Sequence, residues 1–151
     1  MLRLITREGL KKLQDELEER RTKIRQEIAK AIKEAKEQGD LSENAEYAEA
    51  KRQQNENETR VAELEVIIKN SQVVEHDKSS GYVQMGSRVK VKFNGSEIEF
   101  TIVGSNEADP ARQKISNESP MGKAFMGKRK GDKVEVQTPT GKVKYTILDM
   151  A

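Results

Sequence analysis

The chain contains no cysteine and no tryptophan among its 151 residues, and His76 is its only histidine. Without cysteine, the protein cannot form disulfides, thiolate zinc sites or a cysteine nucleophile. One histidine also excludes metal sites that need several imidazole ligands. Aromatic residues make up only 4% of the chain, which is too few for an obvious base-stacking platform. Chemistry is therefore expected where carboxylate and amide groups gather.

Long hydrophobic runs are also missing. No span of about 18 apolar residues could cross a membrane, and the first residues do not form the apolar run of a signal peptide. We therefore expect a cytoplasmic protein that does not associate with membranes. Charged residues make up 36% of the chain and hydrophobic residues 34%. This composition is too polar for one large core, but it suits a long solvated helical element beside a small domain.

The net charge is only +2, but the two signs are segregated along the chain. Residues 37–49 contain five acidic side chains and no basic one. Residues 20–36 contain two acidic side chains, Glu27 and Glu34, and seven basic ones. Such a pattern is typical of a salt-bridged pair of solvated helices, and it is equally consistent with an acidic functional tip beside a basic flank.

The stretch from Thr6 to Gln38 has the pattern of one long amphipathic helix. It contains no proline, and Gly9 is its only glycine. Thr6 is the predicted N-cap, and Gly39 is the predicted stop because glycine accepts the left-handed conformation that ends many helices. Apolar residues recur at steps of three, four and seven, as one helix face requires. This face contains Leu10, Leu13, Leu17, Ile24, Ile28, Ala31, Ile32 and Ala35.

A second helical pattern runs from about Ser42 to about Val74. The short turn between the two patterns forces the helices to be antiparallel, as a hairpin or two-stranded coiled coil. Alanine near the turn predicts a slim tip, whereas residues 51–58 contain no apolar side chain and predict weak packing in mid-hairpin. The predicted buried stripe of the second helix contains Ala45, Ala48, Thr59, Ala62 and Val66, with Val61, Leu64 and Ile68 adjoining it.

After residue 86 the hydrophobic period becomes two, which predicts strands. Asn94-Gly95 is a strong signal for a hairpin turn, and Ser119-Pro120 predicts the start of a short helix. The predicted fold class is therefore α+β, with an N-terminal antiparallel helical hairpin and a C-terminal antiparallel sheet domain that carries one short helix. The predicted strands cover residues 88–93, 97–102, 114–116, 133–137 and 142–148. The predicted divisions are a coiled-coil domain over 1–76 (helices about 7–38 and 43–74, tip 39–43), a linker over 77–86 and the sheet domain over 87–151.

Residues 39–48, Gly-Asp-Leu-Ser-Glu-Asn-Ala-Glu-Tyr-Ala, are the most informative stretch of the chain. Asp40 as an N-cap with Glu43 three residues later would form a capping box, a purely structural role. Alternatively, Ser42 is the N-cap, Asp40 stays in the loop, and Glu43 projects outward from the first helical turn. Two exposed carboxylates could then hold one hard cation such as Mg²⁺. Two ligands make a weak site that another molecule would have to complete.

The tip motif carries a resemblance. Residues 39–47, the two flanking helical patterns and Ser119-Pro120-Met121-Gly122-Lys123-Ala124 resemble the bacterial Gre transcript-cleavage factors, in order and over nearly the whole chain. The resemblance implies that the hairpin enters the secondary channel of bacterial RNA polymerase and stimulates the polymerase's own cleavage of backtracked RNA. It also implies that the C-terminal domain is FKBP-like and docks at the channel rim, against a coiled coil of the polymerase. We expect a monomer without an active site of its own.

The resemblance also implies roles for individual residues. Asp40 and Glu43 would help hold a Mg²⁺ ion that is shared with the polymerase, and no cofactor is expected on the isolated protein. Asn44 and Tyr47 would shape the tip or contact the RNA 3′ end. Contacts with the extruded RNA through its phosphates are expected from Arg25, Lys30, Lys33 and Lys36. Docking on the polymerase is expected from Ser119, Pro120 and Met121.

Two other functions are compatible with the sequence. A Gre-like protein could occupy the channel as an inhibitor without promoting cleavage, although additional acidic residues at the tip would be expected for that role. The chain could also be a coiled-coil adaptor with an FKBP-like peptide-binding domain. Its simple Asp-Leu-Ser-Glu turn favours the cleavage factor.

Overall fold

The computed structural model describes residues 2–40, 43–77 and 79–151. The chain divides into two compact units. Lys11–Asn70 form the helical unit, and Met1–Leu10 together with Ser71–Ala151 form the sheet unit. Across the described residues, no helix is both long enough and apolar enough to span a membrane.

The long helices form an antiparallel hairpin, as predicted, and all of it except the first residues of α1 belongs to the helical unit. Its first arm consists of α1 (Arg7–Glu19), a π-helical turn (Arg20–Ile24) and α2 (Arg25–Glu37), which follow one another without a break. Its second arm is α3 (Ala45–Lys69). The predicted continuation of this helix to about Val74 is wrong, because residues after Asn70 form a strand instead.

The buried face of α3 differs from the predicted stripe. Ala45, Ala48, Thr59 and Ala62 are exposed, and Val66 is 59% exposed. The observed seam repeats at steps of three and four, as in a heptad pattern. It was overlooked in the sequence because two of its positions are polar, so the neighbouring stripe has the more apolar composition. The buried and half-buried residues of this seam are Tyr47, Ala50, Gln54, Asn57, Val61, Leu64 and Ile68.

Polar side chains pack in the middle of the hairpin, where the sequence predicted weak packing. Glu16 Oε1 accepts hydrogen bonds from Arg20 Nε and Arg60 Nε, both at 2.9 Å. Asn57 is only 3% exposed, and it bonds to Arg20 twice. Charge-assisted hydrogen bonds therefore contribute to the packing in mid-hairpin, beside the buried Ile28 and Val61.

The Glu16 carboxylate predicts a pH dependence of hairpin stability. Its hydrogen bond from Arg60, and then that from Arg20, hold the pKa of Glu16 below its ordinary value of 4.5. A lowered folded-state pKa gives stability that is present above 4.5 and is lost as pH falls through the folded pKa. We expect Glu16→Gln to destabilise the protein at pH 7 by about 1–2 kcal/mol and to flatten the decline in stability below pH 4.5.

Thermal unfolding between pH 7 and pH 3, followed by circular dichroism at 222 nm, measures this effect. Glu49→Gln is the matched control, because Arg52 holds the pKa of the exposed Glu49 carboxyl to about 2 while the ion pair itself is screened by solvent. Its substitution should change stability at pH 7 much less. Equal losses for the two variants would contradict the role of Glu16.

The sheet unit begins with a short ladder that the sequence analysis did not predict. Strand β1 (Arg3–Ile5) pairs in parallel with β2 (Ser71–Val73). Thr6 then caps α1 as predicted, because its Oγ1 accepts a 3.0 Å hydrogen bond from the Gly9 amide. Glu107 Oε2 accepts hydrogen bonds at 3.0 Å from the amides of Thr6 and Gly104, so this carboxylate ties the first residues to the rest of the sheet unit.

The larger sheet of the described residues follows the predicted strands closely. In sheet order, the strands are β5 (Lys114–Ser116), β4 (Ser96–Val103), β3 (Arg88–Phe93), β7 (Gly141–Met150) and β6 (Lys133–Thr138). The Asn94-Gly95 turn between β3 and β4 has φ angles of 49° and 78°, as a two-residue hairpin turn requires. The prediction of a purely antiparallel sheet is wrong at one edge, because β5 runs parallel to β4.

The core of the sheet unit lies on one face of this sheet and is covered by α4 (Pro120–Phe125). Phe125 is 1% exposed and its ring centroid lies 5.6 Å from that of Tyr145. Val83 and Met85 are both 2% exposed, although their segment was predicted to be a linker. The Val83 amide donates to Lys128 O at 2.8 Å, which holds this segment in the core.

Candidate functional site at the hairpin tip

The first arm ends where the sequence predicted. The last residue of α2 is Glu37, and Gly39 follows with a φ of 125°, a backbone conformation that side chains disfavour. Ala35, near this end, is 1% exposed, and Ala50 on the opposite arm is 4% exposed. Small side chains therefore occupy the seam nearest the tip, which agrees with the predicted slim shape at these two positions.

Asn44 caps the second arm. Its Oδ1 accepts a hydrogen bond from the Tyr47 amide at 3.0 Å, and its Nδ2 donates to Ala35 O at 2.7 Å. One side chain therefore caps α3 and ties it to the end of α2. Both predicted caps, Asp40 and Ser42, are wrong, because the observed N-cap is Asn44, four residues after Asp40 and two residues after Ser42.

This shift changes how the two candidate carboxylates are placed. Asp40 follows the end of α2, and Glu43 precedes the Asn44 cap, so neither lies within a helix. Both residues are exposed. Since Asn44 supplies the cap, Asp40 and Glu43 do not form the capping box that local sequence suggested. Leu41 and Ser42, between them, lie outside the described residues.

The donor set at the tip is suited to a shared cation rather than to a complete metal site. Within the ranges 2–40, 43–77 and 79–151, no group of three or more His, Asp or Glu side chains could hold a metal ion. Exposed carboxylate oxygens are nonetheless hard ligands of the kind that Mg²⁺ accepts, and Mg²⁺ commonly takes only one or two from a protein. The residues present therefore fit a partial Mg²⁺ site.

The predicted RNA-contact residues differ in how freely they could meet a phosphate. Arg25 makes two 2.8 Å hydrogen bonds to Glu58, and this pairing lowers the pKa of the Glu58 carboxyl. Lys30 Nζ lies 4.0 Å from Glu34. Lys33 and Lys36 are exposed and have no ion-pair partner among the described side chains. The last two are thus the most available cations of the predicted set.

Tyr47 and Asn44 have structural contacts of their own. Tyr47 is half-buried at the tip end of the α3 seam, and its amide is the donor that Asn44 caps. These contacts fit the predicted role of shaping the tip. Contact of either residue with RNA remains a prediction.

The three predicted docking residues lie at the start of α4. Ser119 is the N-cap, because its Oγ accepts from the Gly122 amide at 3.0 Å, and it donates to Ser116 O at 2.7 Å. Pro120 is the first helical residue and is exposed, whereas Met121 packs against the core. Pro120 is therefore the most accessible of the three for a partner.

Two residues that organise the hairpin were not predicted from the sequence, namely Asn44 as a cap and Asn57 as a buried seam residue. Asparagine is a favoured N-cap, which makes Asn44 a candidate as good as Ser42. The strict three-four repeat from Tyr47 to Ile68 includes Asn57 and would have indicated its burial.

Comparison with family models assigns both parts of the chain. Residues 3–73 match "Transcription elongation factor, N-terminal", and residues 78–151 match "Transcription elongation factor, GreA/GreB, C-term". Together these matches span nearly the whole chain.

Individual relatives agree with the family models. Transcription elongation factor GreA of Thermoanaerobacter pseudethanolicus is 50% identical over 150 residues, covering 97% of this chain and 96% of the relative. The GreA of Clostridium acetobutylicum is 51% identical over 149 residues, covering 96% and 94%. Among solved structures, GreA factor homolog 1 of Thermus thermophilus is 29% identical, covers 100% of this chain and 99% of that chain, and has a TM-score of 0.45.

Proposed function

Because this chain belongs to the GreA/GreB family of transcription elongation factors, we propose that it stimulates cleavage of backtracked nascent RNA by bacterial RNA polymerase. In this proposal the chain has no active site of its own. The hairpin enters the secondary channel of the polymerase as a monomer, and its tip completes a nuclease site that the polymerase largely provides.

The observation that carries this proposal is the position of Asp40 and Glu43. Both carboxylates are exposed at the turn, and neither caps a helix. Asn44 performs the capping instead. Capping therefore does not explain the two acidic residues, and their exposure at the turn leaves both accessible to a partner.

Hydrolysis of a phosphodiester is commonly assisted by two metal ions about 3.5–4 Å apart, which stabilise the attacking and leaving oxygens. Asp40 and Glu43 would hold the more weakly bound Mg²⁺ and would orient a water molecule by accepting its hydrogen bond. Two carboxylates alone bind Mg²⁺ weakly, so the isolated chain should be inactive. Completion of the site in the complex would confine cleavage to RNA that has backed into the channel.

Other parts of the chain would position this tip. Lys33 and Lys36, with Lys30 beside them, present positive charge on α2 that suits the phosphates of extruded RNA. Arg25 is the weaker candidate, since Glu58 already occupies its guanidinium group. Pro120 and its neighbours at the start of α4 would dock on the coiled coil at the channel rim.

A transcript-cleavage assay tests the proposed function. Elongation complexes of bacterial RNA polymerase, stalled in a backtracked register and carrying 5′-labelled RNA, are incubated with Mg²⁺ in the presence or absence of the chain. We expect shortened RNA that the polymerase can extend again, formed much faster with the chain. Binding to the polymerase without faster cleavage would indicate a channel-occupying inhibitor, and absence of binding would reject the proposal.

A further inference from the structure

The buried seam residues are spaced differently along the two arms of the hairpin. On α3, the seam from Tyr47 to Ile68 repeats strictly at steps of three and four, with Arg60 and Ile67 half-buried beside it. On the first arm, Leu13 and Arg20 are seven residues apart, as are Ile28 and Ala35, but Arg20 and Ile28 are separated by eight. The first arm therefore contains one extra residue between Arg20 and Ile28.

The π-helical turn Arg20–Ile24 coincides with this extra residue. A π-helical turn holds about one residue more than an α-helical turn, so it can absorb an insertion without rotating the rest of the helix. Without it, the extra residue would rotate α2 by about 100° relative to α1. Ile28 and Ala35 would then no longer face α3.

Asn57 bonds directly to the first residue of this turn. Its Nδ2 donates to Arg20 O at 3.0 Å, and its Oδ1 accepts from Arg20 Nη1 at 3.1 Å. Arg20 is also held by Glu16, which Arg60 binds from the other arm. A side chain bonded to a helical carbonyl is one of the recognised causes of local departure from α-helical pairing. Asn57 is almost fully buried, so these bonds are shielded from competing water.

We propose that Asn57 is a positioning residue that pins the π-helical turn at Arg20–Ile24 and so sets the rotation of the tip half of the first arm. Asp40 follows α2, and its direction depends on that rotation. The consequence for cleavage rests on the proposed function, whereas the effect on hairpin geometry does not. A polar residue in a seam commonly fixes one arrangement at some cost in stability.

Distances between spin labels measure the rotation directly, and the absence of cysteine allows clean labelling. One pair of labels, the tip pair, is attached at Ala29 and Ala48. A second pair, the open-end pair, is attached at Gln14 and Ala62. All four positions are exposed. In Asn57→Leu, a rotation of about 100° would move a side chain on α2 by about 8 Å, given the helix diameter. We expect the distances of the tip pair to shift or broaden and those of the open-end pair to stay unchanged.

Gln54→Leu is the matched control. Gln54 is a half-buried polar residue of the same seam, and its Oε1 accepts a 2.8 Å hydrogen bond from Lys51 Nζ on its own helix. This variant should keep both distance distributions. Asn57→Asp, which retains the acceptor for Arg20 Nη1 but lacks the donor to Arg20 O, provides a second test if the leucine variant does not fold. It should broaden the tip-pair distances alone.

The cleavage assay gives the functional readout. At saturating concentrations, Asn57→Leu should reduce the cleavage rate about tenfold or more, because misplacement by about 1 Å can be that costly. The concentration for half-maximal effect should stay unchanged, since docking does not involve this residue. Wild-type tip-pair distances in both Asn57 variants would overturn the inference, whatever their cleavage rates. Absence of cleavage by the wild-type chain would instead reject the proposed function and leave the distance test decisive.

Discussion

Replacing Asp40 by Asn and Glu43 by Gln together should abolish stimulated RNA cleavage, with a fall of at least about a hundredfold in rate. The two substitutions remove the negative charge of both carboxylates while keeping similar side-chain size, so Mg²⁺ loses the ligands that the chain would donate. The measurement is release of 3′ RNA fragments from backtracked complexes at saturating concentrations of each protein. Binding to the polymerase should be unchanged.

Stability separates this account from a structural role for the same acids. The double variant should keep the wild-type melting temperature within error, because neither carboxylate caps a helix. Asn44→Ala, in contrast, should lower the stability of the protein by about 1–2 kcal/mol, because the helix cap is lost. A destabilised double variant that still stimulates cleavage would identify the acids as structural.

Substituting Gly122 by Ala should produce the largest loss of stability. A Cβ atom at this position would lie 1.9 Å from the backbone oxygen of Ser116, far inside van der Waals contact. The backbone must move to relieve such a clash, and this movement would shift α4 and pull Phe125 out of its place in the core. We expect a cost of about 2–4 kcal/mol and a fall in melting temperature of roughly 10 °C or more for the sheet unit, measured by calorimetry.

Gly127→Ala is the matched control for this prediction. Gly127 has a φ of 79°, but nothing lies within 4 Å of the position that its Cβ would occupy. Alanine there should cost only about 1 kcal/mol, from backbone strain alone. Similar losses in the two variants would show that the close approach of Gly122 to Ser116 does not control the stability of this unit.

The tip shows how far local sequence can lead. Gly39 and the short turn predicted where α2 ends, and two adjacent long helical patterns predicted the hairpin. The cap was not predictable, because Ser42 and Asn44 are both good caps and local energetics do not choose between them. The choice depends on a bond from Asn44 to Ala35, a residue of the opposite arm.

The prediction of the buried face of α3 was wrong for a related reason. Composition favoured the stripe that contains Ala62 and Val66. Burial of a side chain, however, depends on its hydrogen-bond partners as well as on its hydrophobicity. Asn57 can be buried because Arg20 satisfies both ends of its amide, and Arg20 lies 37 residues away in the chain. Likewise, the β1–β2 ladder joins two three-residue segments, one before and one after the hairpin in sequence, and each is too short to carry a strand pattern.

A Mg²⁺ titration of stimulated cleavage tests the central claim most directly, namely that the tip donates ligands to a shared metal site. Cleavage rates of backtracked complexes are measured with saturating wild-type chain or with Glu43→Gln, over a wide range of Mg²⁺ concentration. If Glu43 helps to hold the ion, the variant should need about tenfold or more Mg²⁺ for half-maximal rate, and high Mg²⁺ should recover part of the activity. An unchanged Mg²⁺ midpoint with a reduced maximal rate would contradict the claim, because the carboxylate would then act on the reaction without binding the metal.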